Sequence, residues 1–151
     1  MVSYNVILNS RSSLAGGLVN SDLEYNFDFT RWEQGKYEMS FTYVGEVNNL
    51  QCDKIASVFC NLVENKNYTT SDINNAHTTL NLGTLSVGGT TAKQYLYAGR
   101  DDNFATELGG RPSNNTIKVQ IRDNANALYT DSVAADVGEY ILTLNFKKIE
   151  D

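Results

Sequence analysis

The chain has one histidine and one proline among its 151 residues. The shortage of histidine argues against more classes of function than the shortage of proline does. Hydrolases and transferases usually need a base that titrates near neutral pH, and histidine is the common one. The only histidine, His77, lies in a polar stretch, and no Gly-x-Ser-x-Gly nucleophile motif occurs anywhere in the chain. We therefore predict that the protein is not an enzyme and has neither a catalytic residue nor a cofactor.

Metal ligands are also scarce, because two cysteines and one histidine at these spacings do not make a zinc site. We predict no metal. A calcium site is the alternative, since Asp101, Asp102 and Asn103 share one stretch and Asp123, Asn124 and Asp131 lie in another, although neither has EF-hand spacing. A second alternative is a carboxylate pair for glycoside cleavage. Glu38 and Glu139 have the right chemistry for it, but both occupy the polar side of a strand pattern.

The two cysteines, Cys52 and Cys60, are eight residues apart. On one extended strand their α-carbons would be roughly 27 Å apart, which is far beyond the reach of a disulfide. A bridge would need a turn between them. We predict free, buried thiols, as is typical of proteins in a reducing compartment.

Positive charge is sparse and scattered, and the net charge is −6. The densest basic spot, Lys147 and Lys148, is followed at once by Glu150 and Asp151. Nucleic-acid binding needs clustered lysine and arginine, so we predict no nucleic-acid partner. No apolar stretch is long enough to cross a bilayer or to form a signal-peptide core, and we predict no membrane partner and no secretion signal.

Alternation of apolar and polar residues is the strongest pattern in the chain. In KYEMSFTYV, large residues at 37, 39, 41 and 43 alternate with polar ones, as in a strand with one buried face. The predicted strands cover residues 4–8, 23–29, 36–44, 55–63, 80–87, 93–98, 116–122 and 139–149. Eight antiparallel strands of this length predict an all-β sandwich of two packed sheets, arranged as a single jelly roll, with an immunoglobulin-like sandwich as the competitor.

One domain is expected over residues 1–151, in which residues 1–20 form either an arm or a strand exchanged with a neighbour. Three predicted loops are long, at 65–77, 99–115 and 123–138, and long loops in compact domains commonly carry function. Tyr68 and Phe104 are the aromatic residues that we single out in them as contact candidates. Aromatic faces beside amide and carboxylate groups bind either sugars or proteins.

Three segments together carry a resemblance to a known family. LEYNFDF followed by a short turn and KYEMSFTYV, then GGRPSNNTIKVQIRD and the closing EYILTLNFKKI, resemble the small single jelly-roll proteins that large double-stranded DNA viruses of algae and protists use as minor capsid or penton subunits. The resemblance implies a structural viral subunit that acts through protein–protein contacts. It also implies other capsid proteins as partners, a homo-oligomer, and location in a virion assembled in the host cytoplasm.

Two other functions stay open beside the capsid interpretation. A carbohydrate-binding, lectin-like jelly roll would bind a glycan through Tyr68 and Phe104. An enzyme of unfamiliar type would depend on His77.

Overall fold

The computed structural model describes residues 2–12, 20–47, 55–63, 68–70, 78–89, 94–99, 105–123, 128 and 137–151. Two single-turn 3-10 helices lie among them, at Ser10–Ser12 and Phe29–Arg31. No helix in these residues is long and apolar enough to cross a membrane. The strands are β1 (Ser3–Asn9), β2 (Asp22–Asn26), β3 (Lys36–Val47), β4 (Ile55–Cys60), β5 (Tyr68–Thr70), β6 (Thr78–Gly89), β7 (Gln94–Ala98), β8 (Thr106–Leu108), β9 (Thr116–Asp123) and β10 (Val137–Glu150).

All strand pairs in the described residues are antiparallel, and their hydrogen-bonded order is β1-β10-β3-β7-β6-β4-β9-β2. The two ends of this order meet through side chains. The Tyr25 hydroxyl of β2 donates a 3.0 Å hydrogen bond to the Asn9 carbonyl of β1. Phe29, just after β2, lies against Phe146 of β10, with ring centroids 6.1 Å apart. The strands therefore fold over one core, which confirms the predicted all-β antiparallel sandwich. Its jelly-roll arrangement stays a prediction.

The core is built from the alternating rows that the sequence predicts. Tyr37, Met39, Phe41 and Tyr43 of β3 are completely buried. The matching rows of β2, β9 and β10 are buried as well: Leu23, Tyr25, Ile117, Val119, Ile121, Tyr140, Leu142, Leu144 and Phe146. Each such side chain stabilises the fold by about 1.5–3 kcal/mol when fully buried, so these rows are its main support.

The structure adds two short strands in segments predicted to be loops. β5 lies within 65–77 and pairs with β6, and β8 lies within 99–115 and pairs with β3. In the third predicted loop, 123–138, Leu128 forms an isolated bridge with Arg122. Three-residue strands are too short to show a period of two in a polar sequence, which is why alternation does not reveal them.

The second strand is shorter than its pattern, which runs to residue 29. β2 ends at Asn26 because Asp28 turns the chain: its carboxylate accepts hydrogen bonds from the Thr30 amide (2.9 Å) and the Thr30 hydroxyl (2.6 Å). Phe29 and Trp32 then enter the core, where the Trp32 ring stacks on Tyr4 at 4.4 Å. The sequence pattern predicts that Trp32 lies in a connection between strands. The residue is nevertheless part of the core, with only 7% of its surface exposed.

The fourth strand ends at Cys60, before the end of its apolar pattern at residue 63. The Asn61 side chain takes over the pairing with β9: its Oδ1 accepts from the Lys118 amide and its Nδ2 donates to the Thr116 carbonyl, both at 2.8 Å. Cys60 is free and buried, as predicted, and burial raises the pKa of its thiol to about 12. Cys52 lies outside the described residues.

One end of the sandwich is held by ionic and polar contacts. The guanidinium of Arg111 donates to the carbonyls of Thr30 (3.0 Å) and Trp32 (2.6 Å), which fixes the turn after β2. Lys148 contacts Asp151 at 2.6 Å and Glu33 at 3.1 Å, and these carboxylates raise the pKa of its ammonium group.

The structure describes residues 2–12 and residue 20 of the first twenty residues. Ser3–Asn9 form β1, which pairs along its whole length with β10. Residues 13–19 lie outside the described residues, and the arm stays a prediction for them.

Candidate functional site

Of the two aromatic contact candidates in the predicted loops, the structure describes the backbone of Tyr68 and does not describe Phe104. Tyr68 is the first residue of β5 and pairs with Leu80 through its backbone, while Phe104 and His77 lie outside the described residues. Their roles stay predictions.

The calcium site also stays a prediction, because most of its candidate ligands lie outside the described residues: Asp101, Asp102, Asn103, Asn124 and Asp131. Asp123 is the last residue of β9. Across the ranges that the structure describes, no three histidine, cysteine or acidic side chains cluster in a way that could hold a metal ion.

The carboxylate pair considered for glycoside cleavage is separated in the fold. Glu38 lies opposite Lys147 in the pairing of β3 with β10, and Glu139 lies eight residues before Lys147 on β10. That spacing corresponds to roughly 26 Å along an extended strand. Glycosidase carboxylates are about 5–9.5 Å apart, so Glu38 and Glu139 cannot act as one pair.

The outer face of β1, β10, β3 and β7 carries an unexpected set of apolar residues. In β1, β3 and β10 the inward positions are apolar and the outward positions are mostly polar. Ile7, Val44 and Ile141 break this rule. Each is apolar and points outward, although the residues two positions before and after it are polar. A single exposed apolar residue on a strand needs no explanation, but three on adjacent strands do.

Strand register brings these exceptions together. Ile141 lies directly opposite Val44, and Val44 lies directly opposite Tyr97 of β7. Asn9 faces Ile141, so Ile7, two residues earlier on β1, is the diagonal neighbour of Ile141. We call Ile7, Val44, Tyr97 and Ile141 the outer patch. Their exposed fractions are 67%, 62%, 45% and 48%.

Polar and charged groups border the outer patch on one side. Arg11 and Glu139 form an exposed ion pair at 2.5 Å, and the Arg11 amide donates to the Asn9 side chain. These residues, with Glu46 and Tyr95, line a cleft of about 440 Å³ that opens beside Val44 and Ile141. An apolar centre with a polar rim is the usual composition of a protein-contact surface.

The inner side of the patch is tightly packed. The rings of Tyr43 and Tyr140 stack with centroids 5.0 Å apart, beneath Gly45. A Cβ on Gly45 would lie 2.7 Å from Tyr140 Cβ and 2.8 Å from the Tyr43 hydroxyl. Burial raises the pKa of Tyr140, and it raises that of Tyr25 to about 12, so both hydroxyls are neutral at physiological pH. The patch thus rests on a close-packed, uncharged support.

The sequence carries a signal for the outer patch that alternation alone does not interpret. An apolar residue on the polar side of an alternating strand is visible in NVILN, TYVGE and EYILT. What the sequence does not reveal is the register that sets these three residues beside one another. No protein-family model matches the chain, and a search of curated proteins finds no similar sequence.

Proposed function

We propose that the protein is a structural subunit that assembles through protein–protein contacts made by its outer patch, as a minor capsid or penton protein of a large double-stranded DNA virus. The observation that carries the proposal is the row Ile141, Val44 and Tyr97 across three strands, with Ile7 beside it. Exposed apolar residues that are contiguous and rimmed by polar ones are typical of interaction sites.

The order of the strands is compatible with the predicted jelly roll. Strands from the start and end of the chain alternate, because β10 lies between β1 and β3 while β9 lies between β2 and β4. Such interleaving is expected when a long hairpin is wound into two Greek keys. It supports the resemblance to jelly-roll capsid proteins, and it agrees equally with a lectin-like jelly roll.

In this proposal the partners are further copies of the chain and other capsid proteins, in a virion assembled in the host cytoplasm. The net charge of −6 favours, among the other capsid proteins, those whose contact surfaces carry positive charge around an apolar centre. The outer patch would then be buried between neighbouring subunits, and the rim residues Arg11, Glu46 and Glu139 would set their orientation.

Assembly of the purified chain tests the proposal. We expect oligomers larger than a dimer in sedimentation velocity and ring-shaped particles in negative-stain electron microscopy. Ile141→Lys should abolish them, because it places a charge in the centre of the contact. Ile149→Lys is the matched control: Ile149 is on the same strand and 39% exposed, but it lies eight residues away from the patch. Equal loss of assembly in both variants, or none in either, would contradict the proposal.

Carbohydrate binding is the second candidate, and the cleft beside the patch favours it. Tyr95 lines this cleft together with the carboxylates of Glu46 and Glu139. A tyrosine ring beside acidic groups can stack on a sugar and accept hydrogen bonds from its hydroxyls. Binding to a glycan array that is lost in Tyr95→Ala would favour this function. Loss in Tyr68→Ala or Phe104→Ala would instead place the sugar at the predicted loops.

A further inference from the structure

In the part of the chain that the structure describes, one side of the β1 backbone has no strand partner. β1 lies at one end of the hydrogen-bonded order, and its only strand neighbour among the described residues is β10. The Lys148 amide donates to the Val2 carbonyl at 2.9 Å, so residue 2 is hydrogen-bonded to β10. In an antiparallel pair such residues alternate, which directs the backbone groups of Tyr4, Val6 and Leu8 to β10.

The other residues of β1 therefore direct their backbone N–H and C=O groups away from β10. These are Ser3, Asn5, Ile7 and Asn9. The hydrogen bond from the Tyr25 hydroxyl to the Asn9 carbonyl agrees with this orientation, because it reaches β1 from the side opposite β10. Asn9 thus has its carbonyl occupied within the chain. Ser3, Asn5 and Ile7 supply three amides and three carbonyls along the outer edge.

This edge lacks the features that usually prevent strands from pairing between molecules. SYNVILN contains no charged residue and no proline, and its pairing with β10 has no bulge. The opposite end of the sheet differs. β2 has only five residues, two of them the acidic Asp22 and Glu24, and Lys118 forms an ion pair with Glu24 at 3.6 Å. Of the two ends of the strand order in the described residues, only the β1 edge is long, uncharged and regular.

A second copy of the chain fits this edge for two reasons. Two molecules of net charge −6 repel each other, and an uncharged strand is where they can approach with least repulsion. The unpaired groups are also self-complementary. If two β1 strands run antiparallel with Asn5 opposite Asn5, Ser3 lies opposite Ile7 and all three residues of both copies form hydrogen bonds. A register centred nearer Asn9 would need the Asn9 carbonyl as an acceptor between the two copies, but this carbonyl already accepts a hydrogen bond from Tyr25.

We propose that β1 pairs with β1 of a second copy, antiparallel and centred on Asn5, so that the sheet continues across a two-fold dimer. Such an interface is isologous, since each copy contributes the same strand. It does not rest on the capsid proposal, because the hydrogen bonds along the β1 edge do not involve the row Ile141, Val44 and Tyr97.

Cysteine cross-linking tests the pairing and its register. In a Cys52→Ser background, Asn5→Cys should form a covalent dimer on mild oxidation, because directly opposed α-carbons in this kind of pair are about 5.5 Å apart. Ser3→Cys alone and Ile7→Cys alone should not form covalent dimers. A mixture of the two variants should cross-link, because Ser3 of one copy lies opposite Ile7 of the other. Dimers from Ile7→Cys alone, or equal yields at every position, would overturn the proposal. So would the absence of an Asn5→Cys dimer.

A backbone substitution gives an independent test. Asn5→Pro removes an amide that points away from β10, so the chain should still fold, whereas dimerisation should weaken about tenfold or more through the loss of hydrogen bonds between copies. Asn5→Ala keeps the amide and should dimerise normally. Unchanged dimerisation in Asn5→Pro would contradict the pairing.

The two proposals can fail separately. Ile141→Lys should abolish the larger assemblies and leave the Asn5→Cys cross-link intact. If Ile141→Lys also prevents the cross-link, edge pairing is wrong and the dimer forms through the outer patch.

Discussion

The two faces of β3 and β10 carry apolar residues for different reasons. On the inner face Tyr37, Met39, Phe41 and Tyr43 are completely buried, and all but Tyr37 lie opposite the buried row of β10. On the outer face Val44 and Ile141 are apolar but about half or more exposed. Folding accounts for the inner row, because burial of those side chains stabilises the domain. It does not account for the outer pair, which gains little from folding, and contact with another molecule is the role that we propose for it.

The largest expected difference between the faces is in stability. Phe41→Ala should lower the free energy of unfolding by about 3–5 kcal/mol, because it leaves a cavity in the centre of the core. Thr42→Ala, the next residue along β3, projects to the outer face and should change the free energy of unfolding by less than about 0.5 kcal/mol. Urea denaturation of both variants measures the effect. Similar losses would show that the two faces do not differ in burial.

The packing beneath the outer patch gives the next largest effect. Gly45→Ala should cost about 1–3 kcal/mol of unfolding free energy, because the added methyl group overlaps Tyr43 and Tyr140. Gly110→Ala is the control, since a Cβ there would have no atom within 4 Å. Thermal unfolding of the two variants checks the difference. A stable Gly45→Ala protein would mean that the tyrosine pair can move apart.

Alkaline pH should lower the free energy of unfolding, because it ionises side chains that are buried in the core. Burial raises the pKa of Cys60 from 9.0 to about 12, so the unfolded chain loses this proton first as pH rises. The stabilisation is therefore complete below pH 9 and is lost toward pH 12, at up to about 1.4 kcal/mol per pH unit. Tyr25, raised from 10.0 to about 12, adds to the loss above pH 10. Urea unfolding at several pH values measures the slope.

Cys60→Val separates the thiol from the tyrosines in that experiment. The variant should keep its unfolding free energy between pH 9 and 10, where the parent chain begins to lose stability. An identical slope in both proteins would mean that Cys60 ionises as easily in the folded chain as in the unfolded one.

The smallest stability effect belongs to the outer patch itself. Val44→Lys and Ile141→Lys should each change the free energy of unfolding by less than about 1 kcal/mol, because both side chains remain in solvent. Circular dichroism during thermal unfolding checks this. A cooperative loss of structure comparable with that of Phe41→Ala would place these residues in the core and end the distinction between the faces.

Alternation predicts the sandwich because the described core rows of β2, β3, β9 and β10 alternate between buried and outward positions. The apolar rows that start at Leu23, Tyr37, Ile117 and Tyr140 are buried, apart from Phe27, which is partly buried against the core. Strand ends were less accurate, since they depend on single polar side chains. Asp28 turns the chain after β2, and Asn61 replaces the backbone pairing after β4. Such hydrogen bonds leave no periodic trace in the sequence.

The candidate surface was beyond sequence reasoning for a different reason. Ile7, Val44 and Ile141 are far apart in the chain, and only the pairing of β1, β10 and β3 makes them neighbours. The contact candidates in the long loops, Tyr68 and Phe104, stay predictions. The outer patch is a separate surface, on the face of a sheet.

The most direct test of the outer patch is sedimentation velocity of the purified chain beside the double variant Val44→Lys/Ile141→Lys. We predict species larger than a dimer for the parent chain and nothing larger than a dimer for the double variant, with thermal unfolding nearly unchanged. Identical sedimentation of the two proteins would contradict the assignment of this face to assembly.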